Sequence, residues 1–180
     1  MSFEDQLSNI LNEAEAKPIA VYKGYELWRP NEAPEFDLPM DWDDEQPEPE
    51  FIFLKSDGHE RILVNTPQEE ILRGLVAGKP DIAYSIAFSY GRYKSLEDII
   101  KTDPQWAYYY ALNIVEGRWP EGEAAIKTSA EWAYFYALNI VKGRWLEGEA
   151  AIKADATVLH RLSRNLPNIW DDYRRFFHIS

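Results

Sequence analysis

Hydrophobic residues recur at helical spacing in the second half of the chain and in short strand-like runs in the first half. The clearest helical stripe returns at i, i+1, i+4, i+5, i+8 and i+9, and it consists of Trp106, Ala107, Tyr110, Ala111, Ile114 and Val115. This period is that of a helix with one buried face. Asp103 and Pro104 predict its start, because an aspartate caps a helix and a proline in the first turn loses no hydrogen bond. Gly117 predicts its end, as a residue of left-handed conformation.

A second, shorter helix is predicted from Pro120 to Lys127, after which the pattern begins again. Residues 106–131 and 132–157 are two such units, identical at 20 of 26 positions. A weaker copy precedes them from Ile82, and a degenerate copy follows them. One helical hairpin cannot bury its own aromatic side chains, so the units are expected to stack into an array with atypical ends.

Comparison of the two units separates positions that recur from positions that vary. The recurrent large side chains are Trp106 and Trp132, Arg118 and Arg144, and Trp119 and Trp145. We expect these to serve the architecture of the unit, with the arginines stacked on the adjacent tryptophan or paired with Glu123 and Glu149. The functional alternative is a row of arginines that binds phosphates.

A second helical face lies opposite the main apolar stripe. It carries Tyr109, Asn113 and Glu116 in one unit and Phe135, Asn139 and Lys142 in the next. This face either packs against the neighbouring short helices or forms a surface for a partner. Tyr109, Asn113, Phe135 and Asn139 are therefore the candidate partner-binding residues of the array.

The pattern WAYxYAxxIVxGRWxEGE resembles the short tandem helical repeats found in many small, mostly uncharacterised bacteriophage-encoded proteins, whose units are of the type DPxWAYxYAxxVIxGRWPEAE. The resemblance covers roughly residues 96–153. It implies a phage or prophage-like origin and action in a bacterial cytoplasm. It supplies no catalytic residues.

Residues 1–77 predict a separate module. A helix is expected at 3–15, and a second helix at 67–77 with Thr66 as its cap. The runs 51–54 and 61–64 predict a hairpin, because Asp-Gly lies between them. Residues 19–28 predict either a tight hairpin or one strand bent at Gly24, and we slightly favour the bent strand.

A proline-punctuated acidic loop spans residues 30–50, with five prolines and nine carboxylates. We expect little regular structure there. Its candidate partner-binding residues are Phe36, Asp37, Asp41, Trp42, Asp43, Asp44 and Glu45. The acidic spacing lacks the glycine and the final glutamate of a calcium loop, so no metal is predicted.

Together these patterns predict an α+β fold that is mainly α. A small three-stranded antiparallel β-sheet with a helix at the N-terminus, residues 1–77, precedes a stacked array of short helical hairpin repeats, residues 78–180. The aromatic content of 14% and hydrophobic content of 46% suffice to build a core.

No recognised catalytic or nucleotide-binding motif occurs in the chain, and there is no cysteine. The three histidines have no neighbour at metal-ligand spacing. We therefore expect no enzyme activity, no cofactor and no metal. The start of the chain is not a signal peptide and no window could span a membrane, which favours a cytoplasmic protein.

Charge is distributed unevenly. Residues 1–70 hold 18 Asp+Glu and 5 Lys+Arg, a net −13, whereas residues 71–180 hold 13 and 14, a net +1. Direct nucleic-acid binding by the acidic half is not expected. The leading hypothesis is a non-enzymatic interaction module that binds and inhibits a host or phage protein. The alternatives are an acidic mimic of nucleic acid that blocks a host defence enzyme, and a self-assembling structural repeat protein that forms homo-oligomers.

Overall fold

The computed structural model describes residues 17–34, 50–56, 61–64 and 67–165. It confirms the predicted class, α+β and mainly α, with an antiparallel sheet followed by helical hairpins. Two compact units divide the chain, residues 1–77 and 78–180. The predicted helix at 3–15 lies outside the described residues. Within the described part, no helix has the length and apolarity that crossing a bilayer requires.

The sheet of the first unit has four antiparallel strands in the order β1 (Ala20–Tyr22), β2 (Tyr25–Trp28), β3 (Ile52–Ser56) and β4 (Arg61–Leu63). The preference for one bent strand over residues 19–28 was therefore wrong, as was the count of three strands. Lys23 and Gly24 form a tight turn in which both residues have positive φ, 48° and 77°. That conformation reverses the chain in two residues. The predicted pairing of β3 with β4 is confirmed.

The helix of this unit, α1 (Glu69–Leu75), packs on β1 and β2. It begins after Gln68, not at the predicted Thr66–Pro67. A Cβ at Gly74 would overlap the Tyr22 ring, so the helix lies directly on that strand face. The opposite face carries a cluster of Trp28, Ile52, Leu54 and Leu63. Successive residues of β3, Ile52, Phe53 and Leu54, are all buried, so both faces of this strand are covered, which explains its continuous apolar run.

The second unit consists of helical hairpins. Its helices are α2 (Pro80–Tyr90), α3 (Lys94–Ile100), α4 (Pro104–Tyr110), α5 (Pro120–Ile126), α6 (Ala130–Tyr136), α7 (Glu149–Ala154) and α8 (Ala156–Asn165). A longer helix alternates with a shorter one when the π segments Ala111–Val115 and Ala137–Val141 are counted with α4 and α6. Each long helix packs against the short helix that follows it and against the long helix of the next repeat. The stacked array predicted from the repeat period is confirmed.

Aspartates cap two of the long helices. Asp103 accepts hydrogen bonds from the backbone N–H groups of Gln105 and Trp106, at 2.9 and 3.1 Å, as predicted. Asp155 does the same for α8. Pro120 starts α5 as a regular helix, whereas Leu146 stands at the equivalent position of the next repeat. There the chain first makes a 3₁₀ turn, Leu146–Gly148, before α7.

Two long helices widen into π-helix before they end. Ala111–Val115 continues α4 and Ala137–Val141 continues α6, with the same sequence ALNIV. The prediction of a left-handed Gly117 was wrong, because the left-handed residues are Glu116 (φ 56°) and Lys142 (φ 53°). A side chain with a Cβ pays about 1–2 kcal/mol in this conformation. Neither period nor composition indicates this widening.

The recurrent glycine of the RWxEG motif makes room for the recurrent tryptophan. Trp119 and Trp145 are buried, with 2% and 1% of their surface exposed. A Cβ at Gly122 would overlap the indole of Trp119, and Gly148 stands in the same relation to Trp145. Short helix and preceding loop can therefore close on each other only with glycine at this position.

We expect Gly122→Ala to lower the free energy of unfolding by about 1–3 kcal/mol, the usual cost of overpacking a buried contact. Gly117→Ala is the matched control: Gly117 does not have a left-handed φ, and no atom lies within 4 Å of its added Cβ. Urea unfolding followed by circular dichroism measures both. Equal destabilisation by the two variants would contradict the contact with Trp119.

Candidate interaction surface

An arginine, a glutamate and a tyrosine form a hydrogen-bonded group at each junction between repeats, which we call the clamp. In the first clamp, Arg92 donates two hydrogen bonds to Glu97, at 2.7 and 3.1 Å, and the Tyr110 hydroxyl donates a third at 2.7 Å. The arginine and the glutamate belong to one repeat and the tyrosine to the next. Arg118, Glu123 and Tyr136 repeat the arrangement.

The Tyr136 hydroxyl makes two bonds across its junction. It donates to Glu123 Oε1 at 2.8 Å and accepts from the backbone N–H of Trp119 at 2.9 Å. The Tyr136 ring also packs against Trp145 of its own repeat, with centroids 4.7 Å apart. One side chain thus ties the loop of one repeat to the long helix of the next.

In both clamps, hydrogen bonds to the glutamate offset the effect of burying its charge. Burial of the Glu123 carboxylate would raise its pKa, but hydrogen bonds from Arg118 and Tyr136 outweigh burial, and the pKa lies below its ordinary value. Glu97 shows the same balance, with burial opposed by Tyr110 and Arg92. Burial and the bond to the carboxylate raise the pKa of Tyr110. Charge therefore stays on the glutamate and the proton on the tyrosine.

The predicted pairs of Arg118 with Glu123 and of Arg144 with Glu149 are confirmed. Each arginine donates from Nε and one Nη to the two oxygens of one carboxylate, the bidentate geometry common in Arg–carboxylate pairs. The recurrence of these arginines is explained by the junctions. The row of phosphate-binding arginines has no support in these contacts.

A second hydrogen bond links successive long helices, and we call this bond the latch. Asn113 Nδ2 donates to the Tyr84 hydroxyl at 2.9 Å, and Asn139 Nδ2 donates to the Tyr108 hydroxyl at 2.7 Å. Each asparagine lies in a π segment, and each tyrosine lies in the preceding long helix. The two asparagines, predicted as partner-binding residues, therefore have an architectural role that accounts for their recurrence.

A continuous row of aromatic rings crosses the long helices, and we call these rings the aromatic band. It consists of Tyr84, Phe88, Trp106, Tyr108, Tyr109, Trp132, Tyr134 and Phe135, with neighbouring centroids 5.2–6.2 Å apart. Tyr108 and Tyr134 are buried, whereas Phe88 exposes 61% of its surface and the other rings are partly exposed. The band joins three repeats into one surface.

The structure brings some predicted residues together and adds others. Tyr109 and Phe135 lie in the band, and so do Trp106 and Trp132, which the sequence assigned to the architecture alone. Sequence reasoning missed Phe88, although it stands one helical turn after Tyr84 in the weak first repeat. It also missed the clamp tyrosines, because nothing in their spacing indicates a hydroxyl bond to the preceding repeat.

The acidic candidates Phe36, Asp37, Asp41, Trp42, Asp43, Asp44 and Glu45 lie outside the described residues. In the parts of the chain that the structure describes, there is no group of three or more histidine, aspartate or glutamate side chains placed to hold a metal ion. Comparison of the chain with family models, curated proteins and solved structures finds no match of any of the three kinds.

We expect Tyr136→Phe to lower the free energy of unfolding by about 2 kcal/mol. It removes a hydrogen bond to a charged group and leaves the buried Trp119 N–H without its acceptor. Tyr109→Phe is the control, because among the described residues the Tyr109 hydroxyl has no hydrogen-bond partner; its effect should stay within about 0.5 kcal/mol. Chemical unfolding of both variants provides the measurement, and an unchanged Tyr136→Phe protein would rule out the clamp as a source of stability.

The clamps predict a loss of stability at alkaline pH. The pKa of Tyr110 and Tyr136 is raised above the ordinary value of 10.0, so the folded array keeps both hydroxyls protonated where the unfolded chain would ionise them. Their contribution is complete below pH 10 and is lost as the pH rises beyond it.

We expect the late part of the tyrosinate absorbance to appear together with loss of the helical circular dichroism signal. A Tyr110→Phe, Tyr136→Phe double variant should have a smaller late absorbance step, of which Tyr108 remains a part because burial raises its pKa as well. Full ionisation of all 11 tyrosines with the helical signal intact would contradict the prediction.

Proposed function

We propose that the protein is a non-enzymatic interaction module of phage-like origin that binds a bacterial host or phage protein in the cytoplasm and inhibits it. The aromatic band carries this proposal. Tryptophan and tyrosine are enriched among the residues that contribute most to protein–protein binding. A band of neighbouring aromatic rings on stacked helices supplies several such residues side by side, and aromatic side chains lose little conformational entropy on binding.

Polar atoms within the band add to this argument. Among the described residues, no acceptor pairs with the indole N–H of Trp106 or Trp132, or with the Tyr109 hydroxyl. The three rings are neighbours, since the Tyr109 centroid lies 5.9 Å from that of Trp106 and 5.6 Å from that of Trp132. A partner would therefore meet apolar faces together with hydrogen-bond groups, the combination found at the centre of protein interfaces.

The charges of the array favour a protein over a nucleic acid as the partner. Residues 71–180 carry a net +1, far below the basic excess of a phosphate-binding surface. Arg92, Arg118 and Arg144 are already paired with carboxylates. The band itself consists of uncharged rings.

The test compares binding by variants of the full-length protein. Phe88→Ala and Phe135→Ala each truncate a ring of the band, and a partner captured from bacterial lysate should be lost or weakened at least tenfold. Leu146→Ala is the matched control, because Leu146 is as exposed as Phe88, 62% against 61%, and lies outside the band. Inhibition assays with the identified partner would follow the same series.

A third protein separates the alternatives. In it, Asp37, Asp41, Asp43, Asp44 and Glu45 are replaced by their amides. If this variant loses the partner while the band variants keep it, the acidic segment is the effector and the band proposal is wrong. Sedimentation at high concentration tests the structural alternative, since a strictly monomeric mass excludes self-assembly.

A further inference from the structure

Gly117 and Gly143 recur in the two clear repeats without a reason in the conformation observed. Neither has a φ in the left-handed region. A Cβ would meet nothing within 4 Å at Gly117 and only the Val141 carbonyl oxygen, at 3.8 Å, at Gly143. The left-handed positions are instead occupied by Glu116 and Lys142, whose side chains make that conformation costly. Each glycine therefore comes one residue after the left-handed position, where glycine would cost less than the glutamate or lysine present.

The first repeat has the helix end that these glycines would permit. Helix α2 ends as an ordinary α-helix at Tyr90, and Gly91 follows it with φ 99°. The Gly91 N–H bonds to the Ala87 carbonyl, the equivalent of Ala111. In the second repeat, by contrast, the N–H groups of both Glu116 and Gly117 bond to the Ala111 carbonyl. Two kinds of helix end thus coexist in one array.

We propose that α4 and α6 can end in two ways, and that the latch selects between them. In the observed end, the π segment is present and Glu116 or Lys142 is left-handed. In the second end, the helix stays α-helical for one more residue and Gly117 or Gly143 becomes left-handed, at no steric cost. The latch favours the π end because its asparagine lies inside the π segment.

The latch joins these helix ends to the aromatic band. Tyr84 and Tyr108 accept the latch bonds through their hydroxyls, while their rings lie in the band against Trp106 and Trp132. A partner that displaces either ring breaks a latch and releases the π end of the next repeat. This step, which rests on the proposed function, makes the helix ends a device that passes binding at the band along the array.

The experiment follows Glu116 and Gly117 by NMR in the full-length protein without any partner. In Asn113→Ala, which removes the latch donor at an exposed position, we expect the left-handed φ to move from Glu116 to Gly117. Backbone carbon shifts and the HN–Hα coupling report that change. Amide exchange at Glu116 should rise roughly tenfold, because its bond to Ala111 is specific to the π end. Lys142 and Gly143 serve as the internal control and should keep their values.

Two further variants make the result decisive. Tyr84→Phe keeps the ring in the band and removes only the latch acceptor, so it should shift Glu116 as Asn113→Ala does. Adding Gly117→Ala to Asn113→Ala should block the shift, because alanine disfavours the left-handed region. If Glu116 stays left-handed in Asn113→Ala and its amide exchange rate is unchanged, the proposal is wrong. That outcome leaves the band proposal standing, since partner capture by Phe88→Ala is a separate measurement.

Discussion

The Tyr136 hydroxyl, held between the Glu123 carboxylate and the Trp119 N–H, is the interaction on which the array depends. The Glu123 carboxylate accepts two bonds from its own Arg118 and a third from Tyr136 of the following repeat. Neighbouring repeats are therefore joined by a charged hydrogen-bond network, in addition to the apolar surface that stacking buries.

The sequence at the end of the clear repeats lacks the tyrosine that a further clamp would need. Leu162 stands 26 residues after Tyr136, at the position where the next clamp tyrosine would lie. The last glutamate, Glu149, has only 3% of its surface exposed and takes both forked bonds from Arg144. The Glu149 carboxylate is therefore paired within its own repeat, and the sequence after residue 157 does not carry the tyrosine that would reach back to it.

Much of the fold was predictable from pattern, and the exceptions have identifiable causes. Helical period, the Asp103 cap and the pairing of the two strands that flank Asp-Gly depend on local rules, and these predictions are confirmed. The hairpin at residues 20–28 was one of two alternatives, and the bent strand was preferred because the side chain of Lys23 does not indicate its positive φ. The π segments were missed because α and π helices share the same apolar spacing over five residues. In the candidate site, Tyr109 and Phe135 were found from their place on the helical face opposite the apolar stripe. The tyrosine bonds of the clamp and the latch join residues 13–31 positions apart and leave no local signal.

The aromatic residues fall into two groups, one buried at the junctions between repeats and one partly exposed in the aromatic band. Tyr110, Tyr136, Trp119 and Trp145 are buried and build the junctions. Trp106 and Trp132 recur as well, yet they are only half-buried, contribute nothing to the clamps, and have no acceptor for their indole N–H among the described residues. An array that needed these rings for stability alone would place them inside or replace them with aliphatic residues. The recurrence of these partly exposed rings at the surface supports the proposed role of the aromatic band in binding a partner.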